Sequence, residues 1–166
     1  MSLLRWSNGL ISLDRWTWPC VCGRSGVSLE KREGDGATPA GRFALRQVFY
    51  RPDRVPPPRT ALPRRPLLPE EGWCDDPEHA DYNRLVRLPH PASCEQLWRD
   101  DHLYDLFVVL GHNDSPPRPG LGSAIFLHIA AEDGRPTAGC LAMKAPDLRD
   151  LLARIELPAR IDILSA

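Results

Sequence analysis

Along most of this chain, apolar side chains recur at every second position. Phe43, Leu45 and Phe49 fall on one face of a stretch whose other face carries Val48 and Tyr50, which predicts a strand over Phe43–Tyr50. Leu10 to Leu13 predicts a short first strand, and Val27 and Leu29 alternate with polar residues as in a second. Leu85, Val86 and Leu88 predict a short strand, and Ile161 and Ile163 a C-terminal one. Leu106 to Leu110 is continuously apolar, the pattern of a strand buried on both faces. A helical period appears once with strength. Leu148, Leu151, Leu152 and Ile155 follow Pro146 at i, i+3, i+4, i+7, an amphipathic helix of about three turns that Pro158 stops. Ser93-Cys94-Glu95-Gln96 has the form of a capping box and predicts a second, short helix through Leu97, Trp98 and Arg99.

Between these elements lie long irregular connections. The chain has 18 prolines and 12 glycines, a content that suits a loop-rich β protein better than a helical bundle. Lys31 to Gly41 holds three glycines and Pro39, which makes it a tight turn. It lacks the Gly-Lys-Ser/Thr ending and the following helix of a phosphate loop. Pro52 to Pro69 is too rich in proline for a central strand or a helix and reads as an extended cover. Glu70 to Asn83 continues irregularly, with Trp73 and Tyr82 as anchors. Trp6, Trp16 and Trp18 read as core or lid packing. The expectation is one mainly β domain over residues 1–166, large enough to bury a proper core.

Charge narrows the function. The formal net charge is −1 and the basic residues are scattered rather than striped, so the chain offers nucleic acid no general attraction. No apolar run reaches membrane-spanning length. Arg5, Asn8, Asp14 and Arg15 interrupt any signal-peptide core in the first residues, so the chain as written reads as cytoplasmic. Five cysteines, an odd number, argue against a disulfide framework. Cys20-x-Cys22 with distant Cys74 and Cys94 lacks the paired-knuckle spacing of structural zinc, and no metal site is expected.

The candidate chemistry lies between Ser123 and Met143. Ala124 to Ala130 alternates as a strand and carries His128 near its end; Asp133-Gly134 turns the chain; Thr137-Ala138-Gly139 delivers Cys140. A histidine and a cysteine joined by such a turn can fold back to touch, the minimum for an activated thiol nucleophile. Gly139 permits a backbone conformation that aims the sulfur and the neighbouring amides at a substrate carbonyl. Taken singly, each residue reads as ordinary core. The helix begins too far beyond Cys140 to be credited with lowering its pKa.

Three motifs in order give this chemistry a family. His128, Thr137, Gly139 and Cys140 resemble the catalytic signature of the L,D-transpeptidases, the YkuD-type domain: a strand histidine, a variable turn, then Ser/Thr-His-Gly-Cys. Lys31 to Gly41, with Thr38-Pro39-Ala40-Gly41, is similar to the family's Thr-Pro-x-Gly turn, and Gly122 to His128 to its histidine strand. The likeness spans about residues 27–163. It implies a β-sandwich or distorted barrel with one or two short helices. It implies that Cys140 attacks the third residue of a peptidoglycan stem peptide and releases the terminal D-alanine, with His128 as general base. It implies that His128 is oriented by a backbone carbonyl, that amides around Ala138 to Cys140 form the oxyanion hole, and that no cofactor is needed. It also implies the cell envelope as the place of action. An active enzyme of this kind is expected to hold a low-pKa thiolate at Cys140, alkylated faster than the other cysteines.

Two positions depart from the family pattern. Ala138 stands where a second histidine is usual, and Ala142 where arginine or asparagine is frequent. His112, in Gly111-His112-Asn113-Asp114, is either its replacement or a solvated loop histidine. Asn113, Thr137 and Ala138 join it as candidate substrate-binding residues. Arg118 and Arg135 flank the site, each able to meet a carboxylate or to stand at the surface. Hydrolysis by an L,D-carboxypeptidase-like thiol enzyme, and a degenerate domain that only binds peptidoglycan, remain alternatives to transpeptidation. Oligomeric state is left open.

Overall fold

The longest alternating stretch, Gly41–Tyr50, is the spine of the fold. A computed structural model describes all residues, 1–166. Its strands are β1 (Ser2–Ser7), β2 (Leu10–Leu13), β3 (Trp16–Pro19), β4 (Val27–Ser28), β5 (Thr38–Pro39), β6 (Gly41–Tyr50), β7 (Arg64–Pro66), β8 (Glu71–Cys74), β9 (Leu85–Arg87), β10 (Cys94–Gln96), β11 (Leu106–Leu110), β12 (Phe126–Ile129), β13 (Leu141–Met143) and β14 (Ala159–Ile163). The one helix, α1 (Ala145–Arg154), has Pro146 in its first turn. No helix is long and apolar enough to cross a membrane.

The main sheet runs β13-β12-β11-β6-β14-β1-β2-β3, with β7 added to β6. Parallel pairing of β1 with β14 sets Leu4 opposite Ile161 and Trp6 opposite Ile163, so all four point into one core. The sheet nearly closes. Just beyond β3, Val21 exchanges two backbone hydrogen bonds with Ala142 of β13, at 2.8 and 3.0 Å. The result is a distorted barrel, and α1 turns Leu148, Leu151 and Leu152 into its interior.

β11 explains why its sequence is apolar throughout. Leu106, Val108 and Leu110 face the barrel interior, whereas Phe107 and Val109 face outward into a second core. That second core is covered by a small antiparallel sheet, β10-β8-β9, which forms a cap. Phe107 stacks on Phe49 (centroids 5.2 Å apart) and packs against Tyr104 and Phe126. Truncating it to alanine is expected to cost about 3–5 kcal/mol.

Several local expectations change: within Glu70 to Asn83, expected to be irregular, Glu71–Cys74 is a buried strand at the centre of the cap sheet. Residues Ser93 to Arg99 do not form a helix: Cys94–Gln96 is a strand, paired with Gly72–Cys74. Local capping chemistry loses here to cross-strand pairing over the second core. The strand expected at Val27 and Leu29 shrinks to Val27–Ser28, and Leu29 is exposed. The first strand is preceded by another, β1, which lies deep in the sheet. Trp6 and Trp18 are buried; Trp16 is partly exposed, with the Arg154 guanidinium over its ring.

Candidate active site

Strand register, rather than the turn between them, brings Cys140 and His128 to one face. β12 and β13 are parallel, with Leu127 opposite Leu141 and His128 opposite Ala142. Leu127 and Leu141 point into the barrel. The alternate side chains, Phe126 on β12 and Cys140 just before β13, therefore face outward into the second core under the cap. His128 shares that face, one pleat beyond Phe126. The Cys140 thiol donates to Ala124 O at 3.1 Å and accepts the Phe126 N–H at 3.4 Å. Ala124 sits in the left-handed region, φ 54°, which a residue with a Cβ seldom adopts. The cap holds it there: Asn83 Oδ1 accepts both the Ala124 N–H (3.1 Å) and the Trp73 indole N–H (2.9 Å).

The Thr137–Gly139 turn is fixed from within and from behind. Thr137 Oγ1 donates to Cys140 O at 2.6 Å and accepts the Gly139 N–H at 3.1 Å. Gly139 has φ 147°, and a Cβ there would stand 3.0 Å from Ala37 O, so glycine is required. Behind it, the fully buried Thr38 donates to Gly139 O at 2.8 Å and accepts the Gly23 N–H at 2.8 Å. Thr137 N bonds to Cys22 O. The Ala138 and Cys140 amides take no protein acceptor, and both residues line the cleft.

His128 is buried, and its Nδ1 lies 2.8 Å from Ile129 O. A carbonyl only accepts, so Nδ1 carries the proton and Nε2 keeps its lone pair. The Tyr104 ring stands edge-on to the imidazole, centroids 5.2 Å apart. Burial lowers the His128 pKa to about 4 and raises that of Cys140 to about 12. Burial thus favours the neutral form of both groups. This runs against the expectation of a low-pKa thiolate: Cys140 belongs to the same buried core as Phe126, Tyr104 and Phe107, where a bare anion is poorly solvated.

The cleft over this pair has a volume of about 430 Å³. Its charged lining comes from both sides of the chain: Arg24, Lys31 and Glu33 from the loops before β5, and Asp75, Glu95 and Arg99 from the cap. Lys31 is buried and paired with Asp35. Its Nζ lies 3.5 Å from where a Cβ on Gly139 would be. The Tyr104 hydroxyl donates to Glu95, a carboxyl whose pKa burial raises.

Of the expected site residues, Thr137, Ala138, Gly139, Cys140 and His128 share this cleft. Arg135 reaches its rim, paired with Asp133. His112, Asn113 and Arg118 do not line it. His112 is half-buried; its Nε2 lies 2.9 Å from Leu121 O and its ring packs edge-on against Phe43, away from the cleft that Cys140 lines. Asn113 ties its own loop together, donating to Arg118 O and Gly122 O, and Arg118 is exposed on that loop. Lys31, Tyr104 and Glu95 were not foreseen. They come from the turn and the cap, and no spacing in the sequence relates them to Cys140. The side chains grouped closely enough to hold an ion lie in the cap, around His90.

No curated protein matches this sequence. The model of the YkuD L,D-transpeptidase catalytic domain matches residues 2–163, nearly the whole chain. With the mainly β fold and the three motifs gathered about one cleft, the chain belongs to the L,D-transpeptidase catalytic domain family.

Proposed function

We propose that this protein is a cysteine acyltransferase acting on peptidoglycan stem peptides in the cell envelope, with Cys140 as nucleophile and His128 as general base. The observation that carries the reading is the tautomer of His128. Its Nδ1–H is held by Ile129 O at 2.8 Å, leaving Nε2 as acceptor on the same face as the Cys140 thiol.

In the first step the thiol proton passes to His128 Nε2 as sulfur adds to the carbonyl of the third stem residue. The Ala138 and Cys140 N–H groups receive the oxyanion. The tetrahedral adduct collapses with cleavage of the C–N bond, and the imidazolium returns the proton to the departing D-alanine amine. The enzyme is left as a thioester. In the second step His128 takes a proton from an acceptor amine as that amine attacks the thioester. The new amide forms, and the C–S bond breaks with return of the proton to sulfur. Because both groups rest neutral, proton transfer accompanies attack rather than preceding it. The acidic lining by Glu33, Asp75 and Glu95 suits an amine-bearing acceptor, and Arg24 and Lys31 suit the carboxylates of a donor. If water replaces the amine, the same site is a carboxypeptidase.

Intact-mass spectrometry with a carbapenem and with a tetrapeptide stem tests this. The wild type is expected to gain a covalent adduct that Cys140→Ala lacks. A folded wild type that forms no adduct with either compound supports the degenerate, binding-only reading instead.

A further inference from the structure

We propose a second, structural site: Cys74, His90 and Cys94 bind one zinc ion that holds the cap over the cleft. Cys74 and Cys94 are directly opposite in the β8·β10 pair. The neighbouring Asp75 N–H bonds to Ser93 O, which makes 75/93 the hydrogen-bonded pair and 74/94 the close, non-hydrogen-bonded one. Both sulfurs thus leave the sheet side by side. The chain between β9 and β10 brings His90 to them, and the three donor atoms lie within 4.8 Å of one another. Tetrahedral zinc with these ligands separates its donors by roughly 3.5–3.8 Å, so loading requires each to move inward by about 1 Å or less.

The surroundings fit a metal of this softness. Two thiolates and an imidazole select zinc over calcium or magnesium. Asp81 Oδ2 lies 3.0 Å from His90 Nε2, where an outer carboxylate orients a metal-bound imidazole; the metal then takes Nδ1, which gives up the Ala92 N–H it accepts at 3.1 Å, and water fills the fourth position. Cys74 is fully buried, while His90 and Cys94 are partly open, so the site is dry on one side and reachable on the other. The segment between the cysteines has only three strand residues and little apolar content, the kind of structure a metal staples when a core does not. Binding displaces two thiol protons and involves no oxidation. Asp75 and Glu95, each next in sequence to a ligand cysteine, line the catalytic cleft, so the ion would set the position of that wall.

The test uses the full chain purified under reducing conditions with zinc, and separately loaded with cobalt(II). Elemental analysis is expected to give one zinc per chain, and the cobalt form to show thiolate-to-metal charge-transfer absorption. Cys94→Ser and His90→Ala should weaken zinc binding at least tenfold, whereas Cys140→Ala and Cys22→Ser should retain it. The cobalt spectrum of the wild type decides the matter even if a ligand variant fails to fold. Reduced, folded wild type that binds neither ion overturns the proposal. So does binding that Cys140→Ala abolishes, or a Cys74–Cys94 disulfide in the protein as isolated.

Discussion

Thr38 donates a hydrogen bond to the carbonyl of Gly139 across 101 residues of sequence, at 2.8 Å and out of contact with solvent. The Thr-Pro turn is thus a clamp on the loop that delivers Cys140. Thr38→Val leaves the Gly23 amide and the Gly139 carbonyl unpaired inside the protein. Chemical denaturation should show a loss of about 2–4 kcal/mol, and adduct formation at Cys140 should slow. Thr38→Ser should keep most of both.

His128 makes stability depend on pH in a defined window. Its folded pKa is about 4 against an ordinary 6.5, so between these values the unfolded chain binds the proton and the folded one does not. Stability is therefore lost as pH falls from about 6.5 to about 4, by up to about 3 kcal/mol from this group, and does not change through neutral pH. His128→Gln should flatten that part of the curve while abolishing acylation. The wild-type acylation rate should persist into mildly acidic solution, since Nε2 stays unprotonated there.

The neutral thiol sets a reactivity pattern. With its pKa pushed up to about 12, Cys140 should react with iodoacetamide near neutral pH no faster than the less buried Cys22. A carbapenem, whose carbonyl can engage the free amides beside Ala138, should still acylate Cys140 alone. Peptide mapping after each reagent checks both halves. Rapid, selective alkylation of Cys140 would show a thiolate that this packing does not support.

Lys31 lines the cleft beside Gly139, and its charge lowers the Cys140 pKa against the larger effect of burial. Lys31→Met should reduce the acylation rate by about tenfold, acting on kcat more than on KM if the ammonium serves the developing oxyanion. His112→Ala should leave the rate near that of wild type, because its imidazole lies against Phe43 and Leu121.

What the sequence disclosed follows the range of the interactions involved. Leu106–Leu110 and the helix after Pro146 were legible because burial imprints a period on the residues themselves. Cys140 and His128 were legible because one turn joins them and a family motif marks them. The Ser93–Gln96 segment misled because its capping pattern is local, while its pairing with Gly72–Cys74 is not. Tyr104, Glu95 and Lys31 reach the cleft from the cap and the turn, and His90 reaches Cys74 from a loop. Such meetings are made by tertiary structure and leave no spacing to read.

The exchange of hydrogen bonds between Val21 and Ala142 has a further meaning. β13 would otherwise be an edge strand, and Cys140 stands immediately before its first residue, Leu141. The segment that guards this edge follows the first three strands. A chain in which that segment has not yet come round to β13 therefore leaves the loop that carries Cys140 unbraced, so closing the ring and seating Cys140 are one event.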